Sequence, residues 1–309
     1  MIHALTKICG VACCLFLVGL LGAQENGRAG APQAAKGQAM GSFPCAWWLP
    51  INGLDHNTDV AATVSGLQSA GFKCGAFVVQ GTAPAKSFDS FLRILEVTKN
   101  TDIAMWVIIV PPAEKGADTL PYRTDYVAWS DALSKISLKY KNFRGFNIDD
   151  YLNPGINTNT FTRDYGCKIY AAKQKNNPHF LFMPTLYDLD RTIADRLAGC
   201  VDGVWLWWTN LEEAIGLQSL LENSPYAARG RFPLYAGVYA HWTSWHDEAK
   251  GSPSPLVLRL TLESACKYAD GVILWQPSLD PADPLLYVAK QFLPGGTSAY
   301  AGKCGTVEH

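Results

Sequence analysis

The chain has 309 residues, of which 48% are hydrophobic and 17% charged, and its formal net charge at pH 7 is −1. This composition supplies enough apolar side chain for a large core and argues against a largely disordered chain. It also lacks the excess of basic residues by which proteins meet nucleic-acid phosphates, so no nucleic-acid partner is expected.

The first 23 residues have the layout of a secretory signal peptide. Lys7 precedes an apolar run from Ile8 to Leu21, and Gly22-Ala23 offers small residues for cleavage. The run is shorter than the roughly 20 residues of a membrane-spanning helix, although an uncleaved anchor is the alternative. Residues 24–41 are rich in Gly, Ala and Gln, which predicts a flexible linker. We therefore expect a secreted or periplasmic protein with no stable membrane span after cleavage.

From Ser42 onwards the chain alternates short β-branched or aromatic runs with amphipathic helical runs, eight of each. The predicted strands are 43–49, 74–80, 103–110, 145–151, 180–187, 203–208, 234–242 and 271–276. The predicted helices are 58–70, 88–99, 126–140, 160–176, 192–198, 211–221, 256–268 and 284–292. Strands that alternate with helices in this way are parallel, and eight such units close into a barrel.

The sequence therefore predicts an α/β protein with a single-domain (β/α)8 TIM barrel over 42–295 and a C-terminal tail over 296–309. An open, doubly wound sheet is the competing arrangement, but it would require a Gly-rich phosphate loop after an early strand, and the sequence shows none. In barrel enzymes the active site lies at the C-terminal strand ends and the loops that follow them, which we call the mouth.

Six cysteines follow the predicted cleavage site. An even number in an oxidising compartment permits disulfides, whereas buried free thiols are the alternative. In the predicted barrel the first two begin adjacent strands and the next two lie on consecutive helices, which leaves the last two for each other. The suggested pairs are Cys45–Cys74, Cys167–Cys200 and Cys266–Cys304. The sequence has no Cys/His spacing typical of a zinc site, and no cofactor is expected.

Three predicted strands share a short signature in which a charged residue and a glycine precede an apolar run. It reads RGFNID at 144–149, DGVWLW at 202–207 and DGVILW at 270–275. The glycine allows a tight start to the strand at the barrel floor. The equivalence places Asp149, Trp207 and Trp275 at one height, at the C-terminal ends of the even-numbered strands.

The sharpest candidate for chemistry is the segment from Asn147 to Tyr151. Because strand side chains alternate, Ile148 faces the helices, whereas Asn147, Asp149 and Tyr151 point into the barrel or its mouth. An aspartate just past a buried strand is costly unless it is hydrogen-bonded, paired or used. Capping of the next loop or pairing with an arginine is the structural alternative, but the position at the mouth favours function for Asp149 or Asp150.

Aromatic and polar side chains recur at the predicted strand ends. Aromatic faces stack on the C–H faces of sugar rings, and amides, phenols and carboxylates hydrogen-bond the hydroxyls. Core burial is the alternative for any single tryptophan, but five strand ends share this chemistry. The candidate sugar-binding residues are Trp48, Gln80, Asn147, Tyr151, Tyr187, Trp207, Trp208, Tyr239, His241, Trp275 and Gln276.

Glycoside hydrolysis usually requires two carboxyl groups, one of them protonated by a raised pKa, which a desolvated aromatic pocket supplies. The candidates are Asp149, Asp150 and Asp188. Adjacent residues cannot easily flank one bond, so the favoured pair is Asp149 or Asp150 with Asp188. His241 is an alternative base or orienting group. A metal site formed with both aspartates is also conceivable, but the spacing is not diagnostic and no metal is predicted.

The segment from Phe146 to Tyr151 resembles the fourth strand of glycoside-hydrolase barrels that carry key acidic residues there. The run Gly271-Val-Ile-Leu-Trp275 is similar to the last strand of chitinase-type (family 18) barrels, whose terminal tryptophan floors the sugar site. The chitinase pattern Asp-x-Asp-x-Glu is matched here by Asn147, Asp149 and Tyr151, so its catalytic glutamate is absent from this strand. The resemblance therefore implies the broad glycoside-hydrolase barrel group and no specific family.

Three functional hypotheses follow. The favoured one is a secreted, monomeric glycoside hydrolase that cleaves an oligo- or polysaccharide by carboxylate acid/base catalysis at the mouth. The second is a non-catalytic carbohydrate-binding barrel that has kept the aromatic platforms. The third is a metal-assisted hydrolase on the same scaffold, since a barrel fold does not decide between these chemistries.

Overall fold

A computed structural model describes residues 45–48, 57–81, 84–207, 233–240, 253–302 and 304. By its internal contacts the chain divides into two units, Met1–Gln33 and Ala34–His309, and every described residue belongs to the second. The predicted signal peptide, the predicted linker and the predicted helix 211–221 lie outside the described residues.

The described strands form one parallel sheet. Its strands are β1 (Cys45–Trp48), β2 (Cys74–Val79), β3 (Ala104–Ile109), β4 (Phe143–Ile148), β5 (Leu181–Phe182), β6 (Thr185–Leu186), β7 (Val204–Leu206), β8 (Leu234–Tyr239) and β9 (Gly271–Trp275). Their order across the sheet is β5-β4-β3-β2-β1-β9-β8-β7-β6, and every pair is parallel. The first and last strands thus lie side by side, as they do in a barrel.

The predicted fifth strand is present as two short segments, β5 and β6, with Met183 and Pro184 between them. β5 pairs with β4 and β6 pairs with β7, so this one interrupted strand holds both ends of the curled sheet. Met183 donates its N–H to the carbonyl of Phe146, and the Pro184 carbonyl accepts from Trp205. The α/β fold with a curled, TIM-barrel-like parallel sheet is therefore as predicted from the sequence.

The helices of the described residues lie between strands or follow the last strand. They are α1 (Val60–Ala70), α2 (Phe88–Thr98), α3 (Tyr126–Lys139), α4 (Ile156–Thr160), α5 (Arg163–Asn176), α6 (Arg191–Leu197), α7 (Pro255–Tyr268) and α8 (Pro284–Lys290), with a 3-10 turn at Pro84–Lys86. Most begin behind a Ser, Thr or Asp whose side chain accepts from an amide of the first turn, as Asp125 does for Ala128. The predicted helix 160–176 corresponds to α5, and α4 is a further short helix before it that was not predicted.

The alternation of strand side chains creates two apolar layers. Phe146 and Ile148 of β4 face outwards and pack in the larger layer between sheet and helices. The smaller layer fills the barrel interior, where the rings of Trp106 and Trp205 lie 5.3 Å apart. Asn147 of β4 points into that interior, as predicted, and it is completely buried.

The shared glycines of the sequence signature make room for large interior side chains. A Cβ atom on Gly145 would lie 2.5 Å from the ring of Trp106, and one on Gly271 would lie 1.8 Å from the ring of Tyr235. Neither glycine has a positive φ. The glycines are therefore required by close approach within the barrel and not by an unusual turn.

Three disulfides join Cys45–Cys74, Cys167–Cys200 and Cys266–Cys304, and the suggested pairings are confirmed. The first ties the starts of β1 and β2, and the third ties the C-terminal segment to α7. Three disulfides are compatible with an extracellular or periplasmic protein. Within the described residues, no helix has the length and apolar character needed to cross a membrane.

Candidate active site

Two adjacent aspartates follow the C-terminal end of β4. The N–H of Asp149 donates to the carbonyl of Ile109 at 3.0 Å, so the ladder between β3 and β4 extends to this residue. Asp149 continues the strand alternation into the barrel and keeps only 9% of its surface exposed. Asp150 has φ 45°, in the left-handed region, and it is more exposed than Asp149. A left-handed backbone is uncommon in residues other than glycine, and such conformations are enriched at functional sites.

A third carboxyl group, from Glu114, completes the site. Glu114 lies in the loop between β3 and α3 and is half-buried. Glu114, Asp149 and Asp150 each present an oxygen within 4.8 Å of the other two, and we call them the carboxyl cluster. Glu114 was not predicted from the sequence because it stands in the loop, beyond the last strand residue. The available signal was its position in a loop that follows a strand on the mouth side.

Burial and mutual repulsion shift the carboxyl cluster towards its protonated forms. Burial, followed by the charges of Asp150 and Glu114, raises the pKa of Asp149 well above its usual range. Burial, followed by the charge of Asp150 and a hydrogen bond to it, raises the pKa of Glu114 to about 7. Three carboxylates this close cannot all ionise cheaply, so the site retains protons near neutral pH.

Tyr187, which directly follows β6, also contacts the carboxyl cluster. Its hydroxyl hydrogen-bonds the carboxylate of Asp150, and the pKa of Tyr187 is raised by burial and by the charges of Asp149 and Asp150. The residue as a whole still keeps 36% of its surface exposed. The hydroxyl is therefore held beside the carboxyl groups in a residue that remains partly exposed to solvent.

A polar layer lies beneath Asp149. Asn147 donates from Nδ2 to the carbonyl of Met183 at 2.6 Å, and Thr185 donates from Oγ1 to Asn147 Oδ1 at 3.2 Å. Thr185 also hydrogen-bonds the carboxyl group of Asp149. Asn147 and Thr185 are both fully buried, so neither can touch a substrate in this structure. The prediction that Asn147 contacts sugar is therefore corrected: it supports Asp149 from below.

Gln80 and Lys86 hold the loop that carries Glu114. Lys86 donates from Nζ to Gln80 Oε1 at 2.8 Å, and Gln80 donates from Nε2 to the carbonyl of Lys115 at 3.0 Å. Burial lowers the pKa of Lys86, and the charge of Glu114 partly opposes that effect. Both ends of the Gln80 amide are thus engaged in positioning this loop.

Aromatic rings pack together at the C-terminal ends of β7, β8 and β9. Trp207, Tyr239 and Trp275, which we call the aromatic trio, have ring centroids 5.3 to 6.2 Å apart. Trp207 and Tyr239 are buried and Trp275 is partly exposed. Tyr239 also faces Tyr187 closely enough to affect its pKa. Tyr187 therefore lies between the aromatic trio and the carboxyl cluster.

The remaining predicted residues have varied positions. Tyr151 is buried against Phe161 and Phe182 in the layer between sheet and helices, so the prediction that it points into the mouth is wrong. The carboxylate of Asp188 is exposed and accepts from the N–H of Leu189 at 2.7 Å. Gln276 follows Trp275 with φ 42°. The side chain of Trp48 and the residues Trp208 and His241 lie outside what the structure describes.

Comparison with known proteins shows resemblance in fold. No protein-family model matches the chain, and no curated protein matches its sequence. Its fold is similar to that of an α-amylase from Geobacillus thermoleovorans, with a TM-score of 0.54 and 10% identity over 81% of this chain and 78% of the amylase. An α-amylase from Anoxybacillus gives a TM-score of 0.51 and 8% identity over the same shares of the two chains.

A third similar structure is a family 27 β-L-arabinopyranosidase from Geobacillus stearothermophilus. Its TM-score is 0.51 and its identity is 11% over 81% of this chain and 75% of the arabinopyranosidase. At such low identities the likeness shows the fold alone, which is the TIM-barrel-like fold of these glycoside hydrolases. The narrower likeness to chitinase-type barrels is not shown by these comparisons.

Proposed function

We propose that this protein is a glycoside hydrolase whose active centre is the carboxyl cluster at the mouth. The observation that carries the proposal is the proximity of three carboxyl groups, which follow the neighbouring strands β3 and β4, to Tyr187 at the edge of the aromatic trio. The structures with a similar fold are described as glycoside hydrolases, which supports the same class of reaction. The substrate class is an oligo- or polysaccharide.

Glu114 is the proton donor in this proposal. A general acid must be protonated at working pH and reach the leaving oxygen, and burial beside Asp150 keeps Glu114 protonated up to about pH 7. Asp150 accepts hydrogen bonds from Glu114, from Tyr187 and from Asn153. Three donors stabilise a carboxylate anion, so Asp150 supplies the negative charge that an oxocarbenium-like transition state requires.

The carboxyl groups of the cluster contact one another directly: one oxygen of each lies within 4.8 Å of the other two, and Glu114 hydrogen-bonds Asp150. In this proposal a bound glycoside replaces the hydrogen bond between Glu114 and Asp150. Asp188 was the partner carboxylate predicted from the sequence, and the Asp188→Asn variant tests whether it takes part.

Sugar binding is assigned to the exposed aromatic faces. Tyr187 and Trp275 present ring surface to the mouth, and Trp207 and Tyr239 support them from within. A sugar ring stacked on Tyr187 lies beside the carboxyl cluster, because the Tyr187 hydroxyl hydrogen-bonds Asp150. Trp208 and His241 remain proposed contributors, as does the side chain of Trp48. We further propose that the protein acts as a secreted monomer after removal of its signal peptide.

The test is hydrolysis of a panel of polysaccharides and aryl glycosides by the purified protein and its variants. Glu114→Gln and Asp150→Asn should each reduce kcat by about 10²–10⁴-fold while glycan binding persists. Asparagine is chosen at 150 because it tolerates the left-handed backbone. The matched controls, Glu96→Gln in α2 and Asp102→Asn just before β3, alter exposed carboxylates outside the carboxyl cluster and should retain full activity.

Two other outcomes would favour other functions. Glycan binding without turnover of any substrate would indicate a carbohydrate-binding barrel. Three clustered carboxyl groups could also hold a divalent cation, so activity that requires added metal and disappears with a chelator would indicate the metal-assisted hydrolase.

A further inference from the structure

The charged residue that precedes the strand glycine has different contacts in the three copies of the sequence signature. Asp202 Oδ2 accepts the N–H of Phe182 at 2.7 Å, and Asp270 Oδ2 accepts the N–H of Leu234 at 2.8 Å. Each aspartate thus joins the start of its strand to the backbone of another strand. Arg144 stands at the same position in the third copy, but a guanidinium group cannot accept a hydrogen bond. The structural role of the two aspartates therefore does not explain Arg144.

The exposed side chain of Arg144 lines a cleft of about 390 Å³ at the starts of β4 and β5. This is the end of the barrel opposite the mouth, and we call the cleft, which Lys141 and His179 also line, the floor cleft. The side chains of these three residues are exposed and make no hydrogen bond or ion pair with any residue that the structure describes. None of the residues that line the floor cleft is acidic, so its positive charge is not compensated there.

A neighbouring helix end accounts for Lys141 but not for Arg144. Lys141 follows α3 closely, and a cation is favoured at the negative end of a helix dipole. Arg144 lies within β4, and strands have only small net dipoles. Its charge at the floor cleft is therefore not required by the local backbone.

The wall of the floor cleft is held in place by hydrogen bonds. Asn177, which caps the C-terminal end of α5, donates from Nδ2 to Ser137 Oγ at 2.8 Å and accepts the N–H of His179 at 3.1 Å. These bonds join α3, α5 and the segment that leads into β5. At the base of the floor cleft the rings of Phe143 and Phe180 pack edge to face, 4.7 Å apart. The floor cleft is therefore formed before a ligand binds.

We propose that the floor cleft binds an acidic group of a polysaccharide, with Arg144 and Lys141 as the residues that bind the acid. The planar guanidinium group matches the geometry of a carboxylate or sulfate, and an ammonium group adds a second positive charge. Leu138, which is half exposed, and the amide of Asn177 also line the floor cleft and suit the C–H face and hydroxyls of a sugar ring. The choice of a polysaccharide as the bearer of the acid rests on the function proposed above, whereas the anion site itself does not.

The floor cleft and the carboxyl cluster lie at opposite ends of the strands, and their charges are opposite. An acidic chain is attracted to the cations of the floor cleft and is not attracted to three clustered carboxyl groups. A polysaccharide bound at the floor therefore leaves the mouth free. The floor cleft anchors the protein on an acidic polymer without occupying its active centre.

The experiment measures binding of the full chain to three immobilised polymers: polygalacturonate, dextran sulfate and neutral dextran. Arg144→Gln should weaken binding to the two acidic polymers by about tenfold or more, and Arg144→Gln/Lys141→Gln by about a hundredfold. The matched controls Arg259→Gln in α7 and Lys168→Gln in α5 remove the same charges elsewhere and should bind as the wild type does. Glu114→Gln should also bind as the wild type does, because the mouth is not involved. Binding to neutral dextran should not depend on Arg144.

Unchanged binding of Arg144→Gln to both acidic polymers would overturn the proposal. An equal loss in Arg259→Gln would also overturn it, because the attraction would then be to the overall charge. Polyglutamate that bound as tightly, with the same dependence on Arg144, would overturn the assignment to a polysaccharide. Near-UV circular dichroism checks that Arg144→Gln is folded. The readout requires no turnover, so failure here is distinguishable from failure of the glycosidase proposal.

Discussion

Glu114 occupies a position in which its ionisation is unfavourable. Its pKa is raised to about 7 by burial and by Asp150, against about 4.3 for an exposed glutamate. Because the folded-state pKa lies above the unfolded one, the stability linked to this group is complete below about pH 4 and is lost as pH rises through 7. Catalytic groups commonly carry such a cost.

We therefore predict that Glu114→Gln is more stable than the wild type at pH 8, by about 1–3 kcal/mol, and has no such advantage at pH 4. Urea unfolding at the two pH values measures the difference. Glu96→Gln is the control: hydrogen bonds from Lys99 and Tyr140 lower the pKa of Glu96, so this substitution should give no gain at pH 8. An equal effect of Glu114→Gln at both pH values would contradict the assigned pKa.

The sequence predicts part of this site, for reasons visible at single residues. Asp149 lies in the mouth because it continues the alternation of β4, which is a local property. Tyr151 does not, because the left-handed φ of Asp150 ends the alternation and the next side chain turns outwards. Glu114 could not be found by alternation, since its place depends on the path of a loop held by Gln80 and Lys86.

At the scale of an element, β8 packs directly against the indole of Trp207, which follows the neighbouring strand β7. A Cβ atom on Gly237 would lie 2.1 Å from the indole of Trp207, far inside contact distance. Gly237→Ala should therefore destabilise the fold by about 1–3 kcal/mol and disturb the aromatic trio, measured by thermal unfolding and near-UV circular dichroism. Trp207→Leu in the same chain should relieve part of the loss. Additive effects of the two substitutions would show that the clash is absent.

Helix α5 is joined to the sheet by a buried ion pair. Lys173 Nζ lies 2.6 Å from Asp202 Oδ2, and the Lys173 side chain is completely buried. Lys173→Met would leave Asp202 without its cation and should cost about 3–5 kcal/mol. The double variant with Asp202→Asn should recover part of that stability in urea unfolding. A Lys173→Met variant as stable as the wild type would show that the pair does not hold α5.

Most elements could be predicted from the sequence because each carries its own period and turn residues. The predicted strand over 180–187 is interrupted because Pro184 has no N–H and cannot continue the ladder. The predicted helix over 160–176 begins three residues later, at Arg163, because the side chain of Thr162 caps its first turn. Each of these differences depends on one residue within an otherwise consistent pattern.

At the scale of the whole molecule, the third disulfide fixes the C-terminal segment after α8 to α7. Cys304 is fully buried and tied to Cys266 of α7, 38 residues away in sequence. Removing both sulfurs with Cys266→Ser/Cys304→Ser should cost about 3–4 kcal/mol and lower the Tm by about 10 °C. Differential scanning calorimetry gives the Tm, and an unchanged value would show that this disulfide does not stabilise the barrel.

The account as a whole depends on Glu114 acting as a general acid for glycosidic bond cleavage. The most direct test compares kcat/KM of the wild type and Glu114→Gln on two glycosides of one sugar, one with an activated aryl leaving group and one with an unactivated alcohol. A general acid is needed for the poor leaving group, so the variant should lose about 10²–10⁴-fold on that substrate and far less on the activated one. Equal losses on both substrates, or no cleavage of either by the wild type, would contradict the assignment.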